Sequence, residues 1–281
     1  MSRLRVGVVG AGTWGRNHLR TVAASTEAEL VAVCDASADA RGALARQYPG
    51  VTFTDSVDEL LRQIDALIVA TPALSHADLG LRAIEAGLPV LIEKPFALTV
   101  EEALGLGEAA EKRRVPVLAG HLLLYHPVIE RLRSMIADGA LGQVYYLYAQ
   151  RVNLGQIRPD ENALWSFGPH DVSVALYLLG EMPVQVTAQG HSYLQQSIED
   201  VVFLHLTFAS GVMAHAQMSW LDPHKERRLT VVGSRQMAVF DDMAAREKLR
   251  VYDKGVNRPP EYRSYGESLS VREGDIFIPR V

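Results

Sequence analysis

The chain of 281 residues holds a single cysteine, Cys34, so no internal disulfide can staple it. That usage fits a reducing compartment, and a cytoplasmic protein is expected. No run approaches the roughly 18 uninterrupted apolar residues of a membrane span. The opening MSRLRVGVVGAG places two arginines before an apolar run but breaks into glycines too early for a signal peptide. Basic residues are not in excess. With 28 Lys and Arg against 33 Asp and Glu the formal charge is −5, which argues against nucleic acid as the main partner. No pair of histidines with a carboxylate shows a metal-ligand spacing, so no metal is expected. Cys34 falls inside an apolar strand and reads as a small buried residue, not a nucleophile. What is present is ordinary for a globular chain, 48% hydrophobic and 22% charged, and long enough for two domains or one large one.

The organising stretch is LRVGVVGAGTWGRNHLR, from Leu4 to Arg20. Val6, Val8 and Val9 form a short β-branched run, and Gly10, Gly12 and Gly15 follow in the spacing G-x-G-x-x-G. This reads as strand, tight turn and helix. The first glycine permits the turn, the second lets the backbone approach a pyrophosphate, and the third allows close helix-strand packing. The helix start offers unpaired N–H groups and a positive dipole end to the anion. Asp35 stands 20 residues beyond Gly15, where such a unit places an acid for the adenosine ribose hydroxyls. A carboxylate there favours NAD over NADP, although Asp35 also reads as a cap for a helix over Ala38 to Arg46 and Arg41 lies close by.

The pattern then alternates. Strands are expected at Glu29 to Cys34, Val51 to Thr54, Ile64 to Ala70, Val90 to Ile92 and Val115 to Ala119. Helices are expected at Asn17 to Ala24, Val57 to Arg62, Ser75 to Ala86 and Val100 to Arg114. This is an α/β Rossmann domain, a doubly wound parallel sheet, assigned to residues 1–120. Gly10, Asp35, Thr71 and Lys94 should line one rim, at the carboxyl ends of its strands. From Gln143 onward, strand-like runs joined by short turns, with one helix at Asp171 to Leu179, read as an α+β domain with a large, mostly antiparallel open sheet, residues 121–281. The face of that sheet rich in aromatic and amphipathic residues suits a homodimer or homotetramer contact, unless a second helix layer covers it.

With this arrangement in place the chain resembles the Gfo/Idh/MocA family of NAD(P)-dependent sugar and inositol oxidoreductases. The residues that carry the resemblance are GAGTWG, TPALSH (Thr71 to His76), AGLPVLIEKP (Ala86 to Pro95), GPHD (Gly168 to Asp171) and GDIFIP (Gly274 to Pro279). The resemblance implies that Gly10, Gly12, Thr13, Trp14, Asp35, Thr71, Pro72, His76, Glu93 and Lys94 bind the cofactor. Lys94 accepts a proton from a substrate hydroxyl as carbon gives a hydride to NAD, and repulsion from the cationic nicotinamide helps by lowering the pKa of its ammonium. The bond from this lysine to its proline is often cis in the family. Glu93 positions cofactor or lysine, and His76 fixes the loop. His170 hydrogen-bonds the reacting hydroxyl and marks a helix start. Many relatives carry an aspartate where this chain has Ser166, so either Lys94 and His170 suffice or Ser166 holds a substrate hydroxyl.

Two stretches address the substrate. RVNLGQIRPDENALW, Arg151 to Trp165, is a polar loop in which Arg151, Asn153 and Arg158 suit an anionic group and Trp165 a ring. Tyr125 is a further pocket candidate, whereas His121 and His126 read equally as structural. WLDPHKERRLTVVG, Trp220 to Gly233, carries Lys225, Arg227 and Arg228 and reads equally as an exposed charge cluster. Together they are similar to the branch that oxidises the 3-hydroxyl of UDP-linked N-acetylhexosamines or their uronic acids. The alternatives are a dehydrogenase of free sugars or inositols, and a dinucleotide-binding regulator without turnover. Relatives usually continue beyond GDIFIP with a further helical segment, and its absence is expected to leave apolar surface uncovered.

Overall fold

The computed structural model describes residues 3–155, 157–159, 161–257 and 270–280. The chain divides into two compact units, Met1–Gly120 and His121–Val281. In the first, strands and helices alternate: β1 (Leu4–Val9), α1 (Thr13–Ala24), β2 (Ala28–Cys34), α2 (Ala38–Gln47), β3 (Thr52–Thr54), α3 (Val57–Leu61) and β4 (Ala66–Val69). After a 3₁₀ turn at Ala73–Ser75 come α4 (His76–Glu85), β5 (Val90–Ile92), α5 (Val100–Arg113) and β6 (Val117–Ala119). The sheet order is β3-β2-β1-β4-β5-β6, with every pair parallel. Val6 and Val8 join Leu19, Val22 and Leu44 in one core on the α1–α2 side. Val9, Leu67, Val69 and Ile92 join Leu79, Ile84 and Leu106 on the other.

The chain runs outward from β1 to β3 and then crosses back to β4, so the order reverses between β1 and β4. Open sheets bind ligands at such a reversal. The glycines make it possible. Gly10 has φ +90°, and a Cβ there would lie 2.6 Å from the Ala70 carbonyl oxygen. One on Gly15 would lie 1.9 Å from the Gly10 oxygen.

The second unit comprises α6 (Pro127–Ala137), β7 (Val144–Val152), α7 (Ala163–Leu179), β8 (Pro183–His191), β9 (Val201–Phe208), β10 (Met213–Ser219), β11 (Glu226–Gly233), β12 (Met237–Asp241), β13 (Leu249–Asn257) and β14 (Ser270–Phe277). Its sheet order is β14-β13-β12-β11-β7-β10-β9-β8. All pairs are antiparallel except β7 with β10. One face packs against α6 and α7 in a single core containing Leu147, Leu204, Ala216, Val231, Leu132 and Val174.

Two differences from the sequence reading matter. Helix α6 was not expected, although the signal was present: His126 caps it, its Nδ1 accepting from the Val128 amide at 3.1 Å, with Pro127 at the first helical position. Helix α7 begins at Ala163 and not at Asp171, so His170 lies inside it and does not mark its start. Gly168-Pro169 suggested a boundary, but an internal proline removes one helical hydrogen bond and is tolerated where packing compensates. Here Asn162 caps the helix, its Oδ1 accepting from the Trp165 amide at 3.0 Å, while its Nδ2 donates to Glu199 at 2.7 Å. A Cβ on Gly168 would lie 2.7 Å from Leu164 and 3.1 Å from Met218 of β10, so the glycine marks close packing.

Beside that cap, Asp200 is fully buried and accepts from the Trp220 indole at 2.8 Å and from the Tyr193 and Leu194 amides at 2.6 and 2.8 Å. An amide in its place has one acceptor oxygen for three donors. Asp200→Asn is therefore expected to lower unfolding free energy by about 1–3 kcal/mol. Urea denaturation followed by tryptophan fluorescence measures it.

Candidate active site

In the first unit the rim is built outward from the glycine turn. Gly12 precedes the first residue of α1, no side chain caps the helix there, and a Cβ on Gly12 would meet nothing within 4 Å. An uncapped N-terminus with open space at the middle glycine fits the diphosphate of a dinucleotide. Thr13 and Trp14 follow at the surface. Asp35 sits at the end of β2. Its Oδ2 accepts from the Ala11 amide at 2.7 Å and its Oδ1 from the Ser37 amide at 2.8 Å. The cap of α2 is Ser37, accepting from the Ala40 amide, and not Asp35. Arg41 is committed elsewhere: it donates to the carbonyls of Asp35 at 2.6 Å and Ala36 at 3.1 Å, and to Asp55 at 3.2 Å.

Beyond β4, the Ser75 hydroxyl lies 2.7 Å from the Thr71 hydroxyl and 2.9 Å from the Pro72 carbonyl. His76 is buried, with Nδ1 2.7 Å from the Pro95 carbonyl and Nε2 2.9 Å from that of Thr71. It thus joins the loop after β4 to the one after β5. The second loop carries Lys94, whose bond to Pro95 is cis.

Glu93 is buried at the tip of β5. Its Oε1 lies 2.8 Å from Nε2 of His18, and its Oε2 accepts from the Lys94 amide at 3.2 Å. Burial pushes its carboxyl up, but hydrogen bonds from His18 and Trp14, the charge of His18 and the Lys94 amide outweigh it and hold the group below its ordinary value. The sequence reading missed His18. The available signal was its position one helical turn from Trp14.

The second unit gathers a different set. Arg151 on β7 and Arg227 on β11 are directly opposed. Asp171 on α7 takes Arg151 in a two-pronged pair at 2.8 and 2.9 Å. Arg227 is half-buried and donates to neutral oxygens: the carbonyls of Val152 at 2.9 Å and Glu226 at 2.8 Å, and the side chain of Asn153. Its guanidinium lies 5.0 Å from the centre of the Phe167 ring. Burial pushes its pKa down and Arg151 pushes it further, against Asp171 and Asp242. Of the KERR cluster, then, Lys225 is exposed whereas Arg227 belongs to the interior network.

Ser166 is buried on α7, and His170 lies one turn further along the same helix. The carbonyl of His170 accepts from Ser173 at 3.0 Å. Tyr125 is exposed on a 3₁₀ turn at Leu122–Tyr125, and Trp165 is exposed on the first turn of α7. Arg158 pairs with Glu161 at 2.9 Å. Among the described residues, none of these three is hydrogen-bonded to the Arg151–Arg227 network. Gln156 and Asp160 of the same stretch lie outside the described residues.

The lowered value at Glu93 has a pH signature. A carboxyl with a depressed folded-state pKa adds stability that is complete above its unfolded value, about 4.3, and is lost as pH falls through the folded value. The stability difference between wild type and Glu93→Gln is expected to be full at neutral pH and to shrink on acidification below about pH 4. Melting temperatures across that range read it.

Comparison with known proteins bears on both units. Residues 4–121 match the model of an oxidoreductase family with an NAD-binding Rossmann fold, and residues 129–239 match the GFO/IDH/MocA C-terminal domain. The chain is 31% identical over 263 residues to UDP-N-acetylglucosamine 3-dehydrogenase of Acidithiobacillus ferrooxidans, covering 92% of this chain and 80% of that protein. A solved structure of that enzyme, GnnA, superposes with TM-score 0.81 at 29% identity, covering 100% of this chain and 85% of the other. An inositol 2-dehydrogenase of Rhizobium meliloti is 28% identical over 268 residues, covering 92% and 81%. GenD2 from gentamicin A biosynthesis, solved in complex with NAD, superposes with TM-score 0.82 at 25% identity, covering 100% and 81%. With both halves matched in order and an enzyme of the group aligned over 92% of this chain, the chain belongs to the Gfo/Idh/MocA family of oxidoreductases.

Proposed function

We propose that the protein is an NAD-dependent dehydrogenase that oxidises a secondary hydroxyl, at C3, of a nucleotide-linked sugar such as UDP-N-acetylglucosamine or its uronic acid. The observation that carries the reading is the match along 92% of the chain to a UDP-N-acetylglucosamine 3-dehydrogenase. The opposed Arg151 and Arg227, with one carboxylate among the described residues bonded to the pair, support a substrate carrying negative charge. A second reading, oxidation of free inositols, is favoured by the inositol 2-dehydrogenase aligned over the same share of the chain.

In the leading reading the uncapped start of α1 and the open face of Gly12 hold the dinucleotide diphosphate, and Asp35 takes the adenosine ribose through lone pairs not occupied by Ala11 and Ser37. The bound nicotinamide supplies the hydride acceptor. Lys94 removes the hydroxyl proton, so that the alcohol loses a proton and a hydride and becomes a ketone. His170 hydrogen-bonds the reacting hydroxyl, and Ser166 stands where many relatives have a carboxylate. The sheet face bearing Tyr146, Tyr148, Phe203 and His215 is the one through which copies associate in this reading.

The test is a panel. Protein with NAD and either UDP-N-acetylglucosamine, its uronic acid or myo-inositol is followed by absorbance of reduced nicotinamide, with a coupled aminotransferase to draw off a 3-keto product. Reduction with the UDP-sugars is expected, and reaction with myo-inositol alone would sink the nucleotide-sugar reading. Lys94→Met should lower kcat by at least about 100-fold, the lower range for a general base, while NADH still binds. Undiminished turnover would remove Lys94 from the mechanism.

Coenzyme choice gives a separate test. Asp35 repels a 2′-phosphate and Arg41 has its donors engaged, so wild type should prefer NAD to NADP. Asp35→Ser is expected to narrow that preference by about tenfold or more, consistent with one like-charge contact of roughly 1.4 kcal/mol. The ratio of kcat/KM values for the two coenzymes measures it.

A further inference from the structure

We propose that His205 and His215 make association through the outer face of the second sheet reversible by pH, with two copies joined at neutral pH and driven apart as the pair takes up protons. The inference rests on the association face given above and names its regulation.

Register places the two histidines directly opposite each other on β9 and β10, with ring centroids 4.6 Å apart. Leu204, Leu206, Ala214 and Ala216 lie in the core shared with α6 and α7, so the alternate residues His205 and His215 face outward. Their row runs from Thr187 on β8 through the pair to Tyr148 on β7. The row on either side of it carries only Gln, Thr, Phe, Met and Tyr on these four strands. No carboxylate, lysine or arginine stands on the three rows, in a chain that is 22% charged. Charge begins beyond β7, where Arg228 on β11 opposes Asp241 on β12 and Arg250 follows on β13.

A centre without charge inside a charged border is the composition of a protein interface. The border carries both signs, so it can meet a second copy of itself without net repulsion. Eight strands about 4.8 Å apart, each presenting about 20 Å of length, give a face of about 800 Å² per copy. That is the size a stable dimer buries from each partner.

The centre tolerates the pair only while it is neutral. Nδ1 of His215 is buried and has no hydrogen-bond partner among the described residues. The ring lies 6.4 Å from that of Phe203 at an interplanar angle of 11°. Burial, and next the charge of His205, push the His215 pKa below its ordinary value, with the Leu204 backbone opposing. The other titratable groups on this face are the Tyr146 and Tyr148 phenols, neutral throughout the range, and His191 at the end of β8, whose ring lies against Tyr193. An imidazolium at His205 or His215 therefore has no counter-charge on its own four strands, and a second copy brings a like cation to the same water-poor centre. Protons favour the separated copies. Association is full above the ordinary histidine pKa of about 6.5 and weakens below it.

The experiment is sedimentation velocity over a dilution series of the full chain at pH 7.5, 6.5 and 5.5. Wild type is compared with the double variant His205→Gln/His215→Gln and with Phe203→Arg, and melting temperatures at each pH confirm that every chain is folded. With one proton taken up per copy, the wild-type dimer dissociation constant should rise about 100-fold between pH 7.5 and 5.5. The double glutamine variant should change less than about threefold over the same range. Phe203→Arg puts a permanent cation beside the pair and should run as a single copy already at pH 7.5. If it does so while the double variant loses as much affinity on acidification as wild type, the association face stands and the proposal alone is overturned. If Phe203→Arg assembles as wild type does, or wild type is a single copy at pH 7.5, the face itself falls and takes the proposal with it. Should the double variant not fold, His205→Gln and His215→Gln are measured singly, and an acid loss undiminished in both overturns the proposal. Met213→Arg replaces Phe203→Arg on the same terms.

Discussion

The first unit depends on a steric allowance at two glycines. Helix α1 can begin against the end of β1 only because Gly15 presents no Cβ to the Gly10 carbonyl and Gly10 none to the backbone at Ala70. Everything at the rim is referenced to that closeness. The Ala11 amide inside the turn holds Asp35, the Ala70 amide bonds back to Val9, and His18 on the new helix reaches Glu93. A larger residue at Gly15 would push the helix away from the Gly10 oxygen and carry this network with it. Gly12, by contrast, faces open space, so the packing of the first unit makes no steric demand on it.

In the second unit the governing constraint is charge. Like charges directly opposed on neighbouring strands destabilise a sheet unless something intervenes. Between Arg151 and Arg227 the intervening group comes from α7, as the Asp171 carboxylate. Breaking such a partly buried pair from one side leaves an uncompensated charge, which makes the arrangement costly to disturb. It therefore fixes the rotation of α7 about its axis and so the direction in which Ser166 and His170 project. Arg227 completes the attachment by joining β11 to Asn153 after β7 and by packing over Phe167.

Much of this was legible in the residues alone. Hydrophobic periodicity and glycine spacing are local properties, so the alternating strands and helices, the turn at Gly10, the acid at Asp35 and the strand ending at Lys94 could be read directly. So could the change to a mostly antiparallel sheet, because short turns between β-branched runs leave few other options. Boundaries were less legible where tertiary packing overrides a local signal. Gly168-Pro169 reads as a helix start, yet α7 continues through it because Asn162, Glu199 and the packing of Gly168 on Met218 stabilise the earlier turns.

What only the tertiary structure decided was the partner of each charged side chain. No spacing rule pairs Arg151 with Asp171 or His18 with Glu93, because those contacts join elements distant along the chain and depend on strand register and helix rotation. Arg41 looked available to a 2′-phosphate until its bonds to Asp55 and two carbonyls were seen, and Arg227 looked like one of an exposed run. The sequence by itself determined the kind of fold and the chemistry it can bear, since those follow from pattern and residue type. Which groups remain free to perform that chemistry was decided by the fold, since long-range hydrogen bonds and burial set the state of each one.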